Sequence, residues 1–391
     1  MFSHQASPDR SATQDEIRVE IRRICARFPD RYWEELDRRE EYPTDFVAAL
    51  RAGGWLGPLI PAEYGGAGLD IQEAGAILEE INASGGNGAA VHAQLYIMGS
   101  LLRYGSDEQK RRYLPGIAAG DLSLQAFGVT EPSSGSDTSA ITTFAKKVDG
   151  GYIVNGQKIF ISRVQHSDLM LLLARTTPLE QVPKRSNGMT LFLIDLRGVG
   201  DAVEIRKIDA MINHETNHVF FRDLLVPEEA RIGDEGEGFK YLLASLNAER
   251  ILIAYECLGD GRYLLEKAIT YAKEREVFGR PIGANQGVQF PIAKAWMRLR
   301  AARAVCETAA AEYDSGHASG ADANSAKWLC ADASWETANV AMDTLGGYGM
   351  AREYGVERKF RETRLYQVAP VTNNMIMAYI GQNVLGLPRS Y

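Results

Sequence analysis

The hydrophobic period of this chain changes twice along its length, and that limits the fold more than any other feature. From Asp15 to about Gly120 the pattern is helical. Ile17, Val19, Ile21, Ile24 and Phe28 open it, and Ile71, Ala74, Ile77, Leu78 and Ile81 recur at helical spacing. Leu95–Tyr104 and Ser106–Leu114 read as further helices, the second with Asp107 and Glu108 in its first turn. The texture shifts near Asp121. Tyr152–Val154, Ile159–Ile161, Leu169–Ala174, Met189–Ile194, Val203–Ile208 and Val219–Val226 are short and rich in apolar or β-branched residues. Asp149-Gly150-Gly151 and Asn155-Gly156 carry hairpin signals among them. After Pro227 helical texture returns over Gly238–Gly259, Leu264–Arg275, Gln289–Tyr313, Ala321–Leu345 and Asn373–Leu385. Segregated runs of this kind predict an α+β fold rather than an alternating, doubly wound one. The divisions fall at 1–124, with 1–15 as a flexible tail, then a strand-rich 125–235, then 236–391.

One helical stripe carries an anomaly. Leu242, Leu246, Glu249, Ile253 and Cys257 share a face, and four of the five are apolar or small. A carboxylate there is costly unless it is paired, protonated or used. Burial raises a carboxyl pKa and makes a better base near neutral pH. Arg250 is adjacent in sequence but faces elsewhere on a helix, so it does not simply neutralise Glu249. An ordinary glutamate paired with another element stays open as the plainer alternative.

With 391 residues and a net charge of −8, the chain is long enough for two or three domains, and its charge argues against nucleic acid as a general partner. An anionic ligand therefore needs local arginine or lysine. No apolar run approaches a membrane span, and the N-terminus lacks the apolar core of a secretory signal. Cys25, Cys257, Cys306 and Cys330 are scattered, which fits reduced thiols in a cytoplasmic protein.

Several constellations compete for a chemical role. His214-Glu215-Thr216-Asn217-His218 matches a zinc-protease pattern, yet Val219, Phe220 and Phe221 give it strand texture. Residues four apart on a strand stand roughly 13 Å apart, too far for one zinc, so no metal is expected. Gly233–Gly238 holds three acids that repel phosphate and reads as a loop opening a helix. Phe127–Asp137, FGVTEPSSGSD, offers hydroxyls at Thr130, Ser133, Ser134 and Ser136 and accessible backbone at Gly128 and Gly135. Such a loop suits an acceptor-rich ring or a pyrophosphate, or serves only as a polar connection. Phe160 and Ser162 could add an aromatic wall and a donor, with Phe160 equally readable as core. Arg275–Pro281 ends a helix with cations, as a cap or as an anion clamp. Leu345–Gly349 breaks a long helix. Thr176–Asn187 is a long polar loop without an assigned role.

Taken in order, VTEPSSGSD, NGQKIFIS, REVFGRPI and TLGGYGMAREYGVER resemble the acyl-CoA dehydrogenase family across about residues 15–391. The resemblance implies an α-helical N-terminal domain, a middle β-barrel or sandwich domain and a C-terminal four-helix-bundle domain. It implies non-covalent FAD and a homo-oligomer, usually a tetramer. Carried over by position, Phe127, Val129, Thr130, Gly135, Ser136, Phe160 and Ser162 would line the flavin. Arg275, Phe278, Gln286 and Gly347 would reach the FAD of another subunit, and Thr372 and Asn374 would contact the cofactor near the C-terminus. Asp343 stands where relatives often have glutamine. Many members place the catalytic glutamate where this chain has Pro370, and a proline cannot take a proton. Isovaleryl- and long-chain-type members instead place it in an earlier Glu-Arg pair, which Glu249-Arg250 matches. The resemblance thus implies that Glu249 removes the α-proton of an acyl-CoA, that Arg250 and Ser136 lie near substrate, and that electrons leave to an electron-transfer flavoprotein. Glu256 is the fallback base. An enoyl-CoA reductase, an acyl-CoA oxidase or a non-catalytic flavin-binding subunit are the alternatives.

Overall fold

The structure, a computed structural model, describes residues 12–317 and 319–389. Helices come first: α1 (Ala12–Cys25), α2 (Asp30–Arg39), α3 (Thr44–Ala52), α4 (Ile71–Ala83), α5 (Ala89–Tyr104) and α6 (Asp107–Ala119). The strands β1 (Leu124–Gly128), β2 (Phe144–Val148), β3 (Gly151–Ser162), β4 (Leu169–Arg175), β5 (Met189–Asp195), β6 (Val203–Lys207), β7 (Thr216–Pro227) and β8 (Arg231–Ile232) follow. Then come α7 (Gly238–Glu274), a small hairpin of β9 (Glu276–Val277) and β10 (Arg280–Pro281), α8 (Gln286–Asp314), α9 (Gly320–Leu345), α10 (Val356–Leu365) and α11 (Asn373–Tyr379). Of the predicted tail, residues 1–11 lie outside the described residues, whereas Ala12–Asp15 already belong to α1.

The chain divides into two compact units. The first, Leu36–Gly68, Ala89–Arg250 and Val368–Tyr391, contains the large sheet. Its strands run in the order β6-β7-β3-β2-β4-β5-β8, with β1 parallel to β4 on the side. β4 explains why the apolar run Leu169–Ala174 shows no polar alternation. Side chains alternate across a strand, and here both faces are covered. Leu169, Leu171 and Leu173 join Ile97, Leu101, Leu114 and Ile117 of α5 and α6 in one core. Met170, Leu172 and Ala174 join Tyr152, Val154, Phe192 and Val219 in another. Full burial of each leucine is worth about 1.5–3 kcal/mol. α6 opens where expected: Ser106 caps it by accepting from Gln109 N–H, and the Gln109 side chain accepts from Ser106 N–H.

Two expectations fail in the sheet. Tyr152–Val154 and Ile159–Ile161 are parts of the single strand β3, not two strands about an Asn155-Gly156 turn. Gly156 instead sits at a bulge, where the pairing with β7 shifts register between Val154 and Gly156. Its φ is 144°, and a Cβ there would stand 2.7 Å from Thr143 Cα. The real turn is Asp149-Gly150, which joins β3 to the unexpected strand β2. Phe127 and Gly128, read as loop, end the equally unexpected β1. Asn373–Leu385 is likewise helical only to Tyr379, with a wider π-turn over Ile380–Val384.

The second unit, Met1–Glu35, Leu69–Gly88 and Ile251–Gln367, is mainly helical in its described residues, with the β9–β10 hairpin as its strands. The two helices expected over Gly238–Gly259 and Leu264–Arg275 are one helix of 37 residues, α7. Gly259 does not break it. A Cβ at Gly259 would lie 2.4 Å from the Glu79 carbonyl oxygen, so the missing side chain lets α4 pack against α7. Glu79 and Glu80 are buried among cations. Arg18 bonds both, at 2.9 and 2.8 Å, Arg262 reaches Glu79 at 2.6 Å, and Arg22 meets Glu80 at 2.8 Å. Arg303 also pairs with Glu79. All four cysteines are free thiols and buried, as the scattered spacing implied.

Candidate active site

Glu249 is 4% exposed, on the stripe that made it anomalous. Leu242, Ile253 and Cys257 on the same stripe are buried, and Leu246 packs against the core shared by α5, α6 and β4. Its carboxylate accepts a hydrogen bond from the Tyr96 hydroxyl of α5. Burial first, then the negative charge of Glu249, pushes the Tyr96 phenol well above its ordinary pKa, so it stays protonated and donates. The Tyr96 ring lies 5.8 Å from Phe127 at the end of β1 and 5.0 Å from His92, centroid to centroid. Tyr96 thus joins the proposed base to the first of the expected flavin-lining residues. The α5 and α7 helices are tied nearby by Ser100 Oγ and Ser245 Oγ at 2.8 Å.

Two arginines lie near the Tyr96–Glu249 pair, Arg250 beside Glu249 and Arg163 beside Tyr96. Arg250 is 9% exposed and donates to Asn247 Oδ1 at 2.9 Å on its own helix. Desolvation lowers its pKa, and the Glu249 carboxylate opposes that. Arg163, just past β3, is 8% exposed and donates to Asn213 Oδ1 at 3.0 Å. Asn213 Nδ2 in turn donates to Ser162 Oγ at 2.7 Å. Burial, with Arg163 adding to it, pushes the His92 imidazole down to about 3, so it is uncharged at neutral pH.

The loop after β1 hangs on a buried ion pair. Lys158 of β3 donates to Glu131 Oε1 at 2.8 Å and to the Val129 carbonyl at 2.9 Å. Glu131 also accepts from Thr143 N–H at 2.9 Å and from Thr142 N–H at 2.6 Å. Burial is overcome by Lys158 and these donors, which hold the Glu131 carboxyl down to about 2. Burial is the larger influence on Lys158, lowering it to about 8 against the pull of Glu131. The Ile159 N–H donates to the Thr130 carbonyl at 2.9 Å, leaving the Thr130 hydroxyl to other partners. Gly135 and Ser136 stay exposed, and a Cβ on Gly135 would meet nothing within 4 Å. Phe160 is 63% exposed and held at φ 59°. A left-handed aromatic costs on the order of 1–3 kcal/mol, a cost that points to a functional constraint on the ring. An exposed ring, hydroxyls on Thr130, Ser136 and Ser162, and open backbone at Gly135 suit a flat, acceptor-rich isoalloxazine. Thr372 caps α11 by accepting from Met375 N–H at 3.2 Å, and Asn374 is exposed beside it.

Arg275, Phe278, Gln286 and Gly347 belong to the helical unit and are all exposed. Phe278 stands at the tip of the β9–β10 hairpin, fully exposed, with φ 53°. Gly347 faces open space where a Cβ would be. Glu256, the fallback base, is 1% exposed and accepts from Tyr366 O–H at 3.1 Å within that unit. The histidines of the zinc-like pattern have separate partners. His214 Nε2 meets Asp37 Oδ1 at 3.0 Å, whereas His218, in β7, meets Gln157 Oε1 at 2.8 Å. Arg175 accounts for the long polar loop: it donates to the Asn187 carbonyl at 3.1 Å and the Arg185 carbonyl at 2.8 Å.

Sequence reasoning missed Tyr96, His92, Arg163, Asn213 and the Glu131–Lys158 pair. Glu131 and Lys158 lie inside the motifs VTEPSSGSD and NGQKIFIS, so a charged residue at an inward strand position was the available signal.

Known proteins agree with this architecture along the whole chain. Residues 11–121 match the family model of the acyl-CoA dehydrogenase N-terminal domain, 126–224 the middle domain and 236–385 the C-terminal domain. Acyl-CoA dehydrogenase FadE12 of Mycobacterium tuberculosis (strain ATCC 25618 / H37Rv) is 34% identical over 390 residues, covering 98% of this chain and 100% of that protein. The three-dimensional structure of butyryl-CoA dehydrogenase from Megasphaera elsdenii superposes with a TM-score of 0.91 at 28% identity, covering 97% of this chain and 100% of that one. The FAD complex of PigA does so with a TM-score of 0.90 at 26% identity, over 98% and 100%. Fold and site thus define a flavoprotein-type oxidoreductase architecture. The chain belongs to the acyl-CoA dehydrogenase family.

Proposed function

We propose that this protein carries out FAD-dependent α,β-dehydrogenation of an acyl-CoA thioester, with Glu249 as the base that takes the α-proton. The observation that carries this reading is a buried Glu249 carboxylate joined through Tyr96 to Phe127. Phe127, Val129, Thr130, Gly135, Ser136, Phe160 and Ser162 would hold the flavin, with Thr372 and Asn374. Arg275, Phe278, Gln286 and Gly347 would reach the cofactor of a neighbouring subunit in a homotetramer. When bound, FAD supplies the acceptor for the hydride leaving the β-carbon. Glu249 works in a water-poor setting that strengthens its interactions with substrate. Arg250 and Ser136 would lie beside the acyl-CoA, and an electron-transfer flavoprotein would collect the electrons.

Anaerobic titration with a panel of acyl-CoA thioesters tests the reading through flavin absorbance. Bleaching by one chain type establishes the dehydrogenation and names the acyl class. An FAD-coloured protein that no saturated thioester bleaches overturns it in favour of a reductase or a non-catalytic subunit. Glu249→Gln should lower turnover by about 10²–10⁴, with the flavin retained. Unchanged turnover removes Glu249 from the role.

A further inference from the structure

We propose that Tyr96 is a positioning residue for Glu249: its hydroxyl holds the carboxylate in the orientation from which it takes the α-proton. The inference rests on the proposed role of Glu249 and adds a residue that the family motifs did not single out.

Three observations carry it. Tyr96 is only partly buried, yet its hydroxyl is directed to the Glu249 carboxylate across α5 and α7. Its ring is fixed from two sides, by Phe127 at 5.8 Å and by His92 at 5.0 Å. The helices that carry donor and acceptor are cross-linked one turn away by Ser100 and Ser245. A phenol has two rotatable side-chain torsions against the three of glutamate, so the stiffer group constrains the freer one.

The bond also sets when the base is available. A donor to the carboxylate favours its charged form. Other polar and charged groups near this pair include His92 on α5, Arg250 and Asn247 on α7, and Arg163 past β3, with Tyr379 of α11 facing Arg250. His92 is neutral throughout the working range. Loss of the Tyr96 hydroxyl therefore moves the acid limb of activity through Glu249.

The test is Tyr96→Phe in the holoenzyme, read in two ways. The first is exchange of the acyl-CoA α-proton with deuterated water, followed by mass spectrometry, which needs no electron acceptor. The second is the pH profile of kcat/KM. Expected are a loss of exchange of about ten- to hundredfold near neutral pH and an acid limb displaced upward by about one pH unit. KM and the thermal midpoint should stay near those of the parent, because the ring remains. A Tyr96→Phe enzyme with the parent's acid limb and exchange rate overturns the inference while leaving Glu249 as base. A Glu249→Gln enzyme that still exchanges the α-proton overturns the base assignment, and this inference with it.

Discussion

At the scale of the residue, the Lys158–Glu131 pair shows how a buried charge can serve a loop. Both side chains are almost fully buried, and Lys158 is bonded to Glu131 and to the Val129 carbonyl together. Ion pairs of this kind contribute little net stability when intact, but removing one partner strands the other and costs about 3–5 kcal/mol. Lys158→Met should therefore lower the stability of the sheet unit by about that much, read by denaturant unfolding. It should also loosen the Val129–Asp137 segment, read as faster release of bound FAD on dialysis. A variant of parental stability would mean that Glu131 is rescued by Thr142 and Thr143 alone. The sequence offered only the charge of Lys158 at an inward strand position, and not its partner 27 positions away. Tyr96 escaped for a related reason. Its stretch, Leu95–Tyr104, reads only as a helix, and nothing local says that a phenol meets a carboxylate from α7.

At the scale of the element, glycine had opposite meanings in α7 and β3. The ordinary reading of Gly259 as a helix end failed because tertiary packing outweighs intrinsic propensity. Its cost of about 1 kcal/mol relative to alanine is offset by the close approach of Glu79 and Asn82. Gly259→Ala should invert the usual helix preference and destabilise the helical unit by about 1–3 kcal/mol. Thermal unfolding measures it, and a stabilised variant would show that α4 yields. In β3 the Asn155-Gly156 pair was read as a hairpin turn, since that dipeptide favours one. The strand instead passes straight through and spends the glycine on a bulge. By contrast, the runs Leu169–Ala174 and Met189–Ile194, the helix start at Ser106 with acids in its first turn, and the stripe around Glu249 were all legible, because each depends on local period or local chemistry.

At the scale of the whole molecule, both units bury carboxylates among cations, and acid should unfold the protein through them. Glu131 is held down to about 2, first against burial and then by Lys158. Glu80 is also depressed, with Arg22, Arg262 and Arg18 overcoming burial. A free glutamate titrates near about 4.3. Because the folded values are lower, this stabilisation is complete above about pH 4.3 and is lost as pH falls toward about 2. Asp314 acts in the opposite sense: burial raises it to about 6, so taking up its proton favours the folded chain between that pH and about 4. The thermal midpoint should peak near pH 5 and fall steeply below about 4. A midpoint that is flat down to pH 2.5 would contradict the assignment. The cysteines carry a different consequence. Burial raises Cys25 to about 11 and lifts Cys257 and Cys306 as well, so their thiolates are scarce and out of reach of alkylating reagents. A single cysteine placed at exposed Glu180 would then be the site a maleimide dye takes, giving a fluorescent reporter on the loop that Arg175 secures without altering any native thiol.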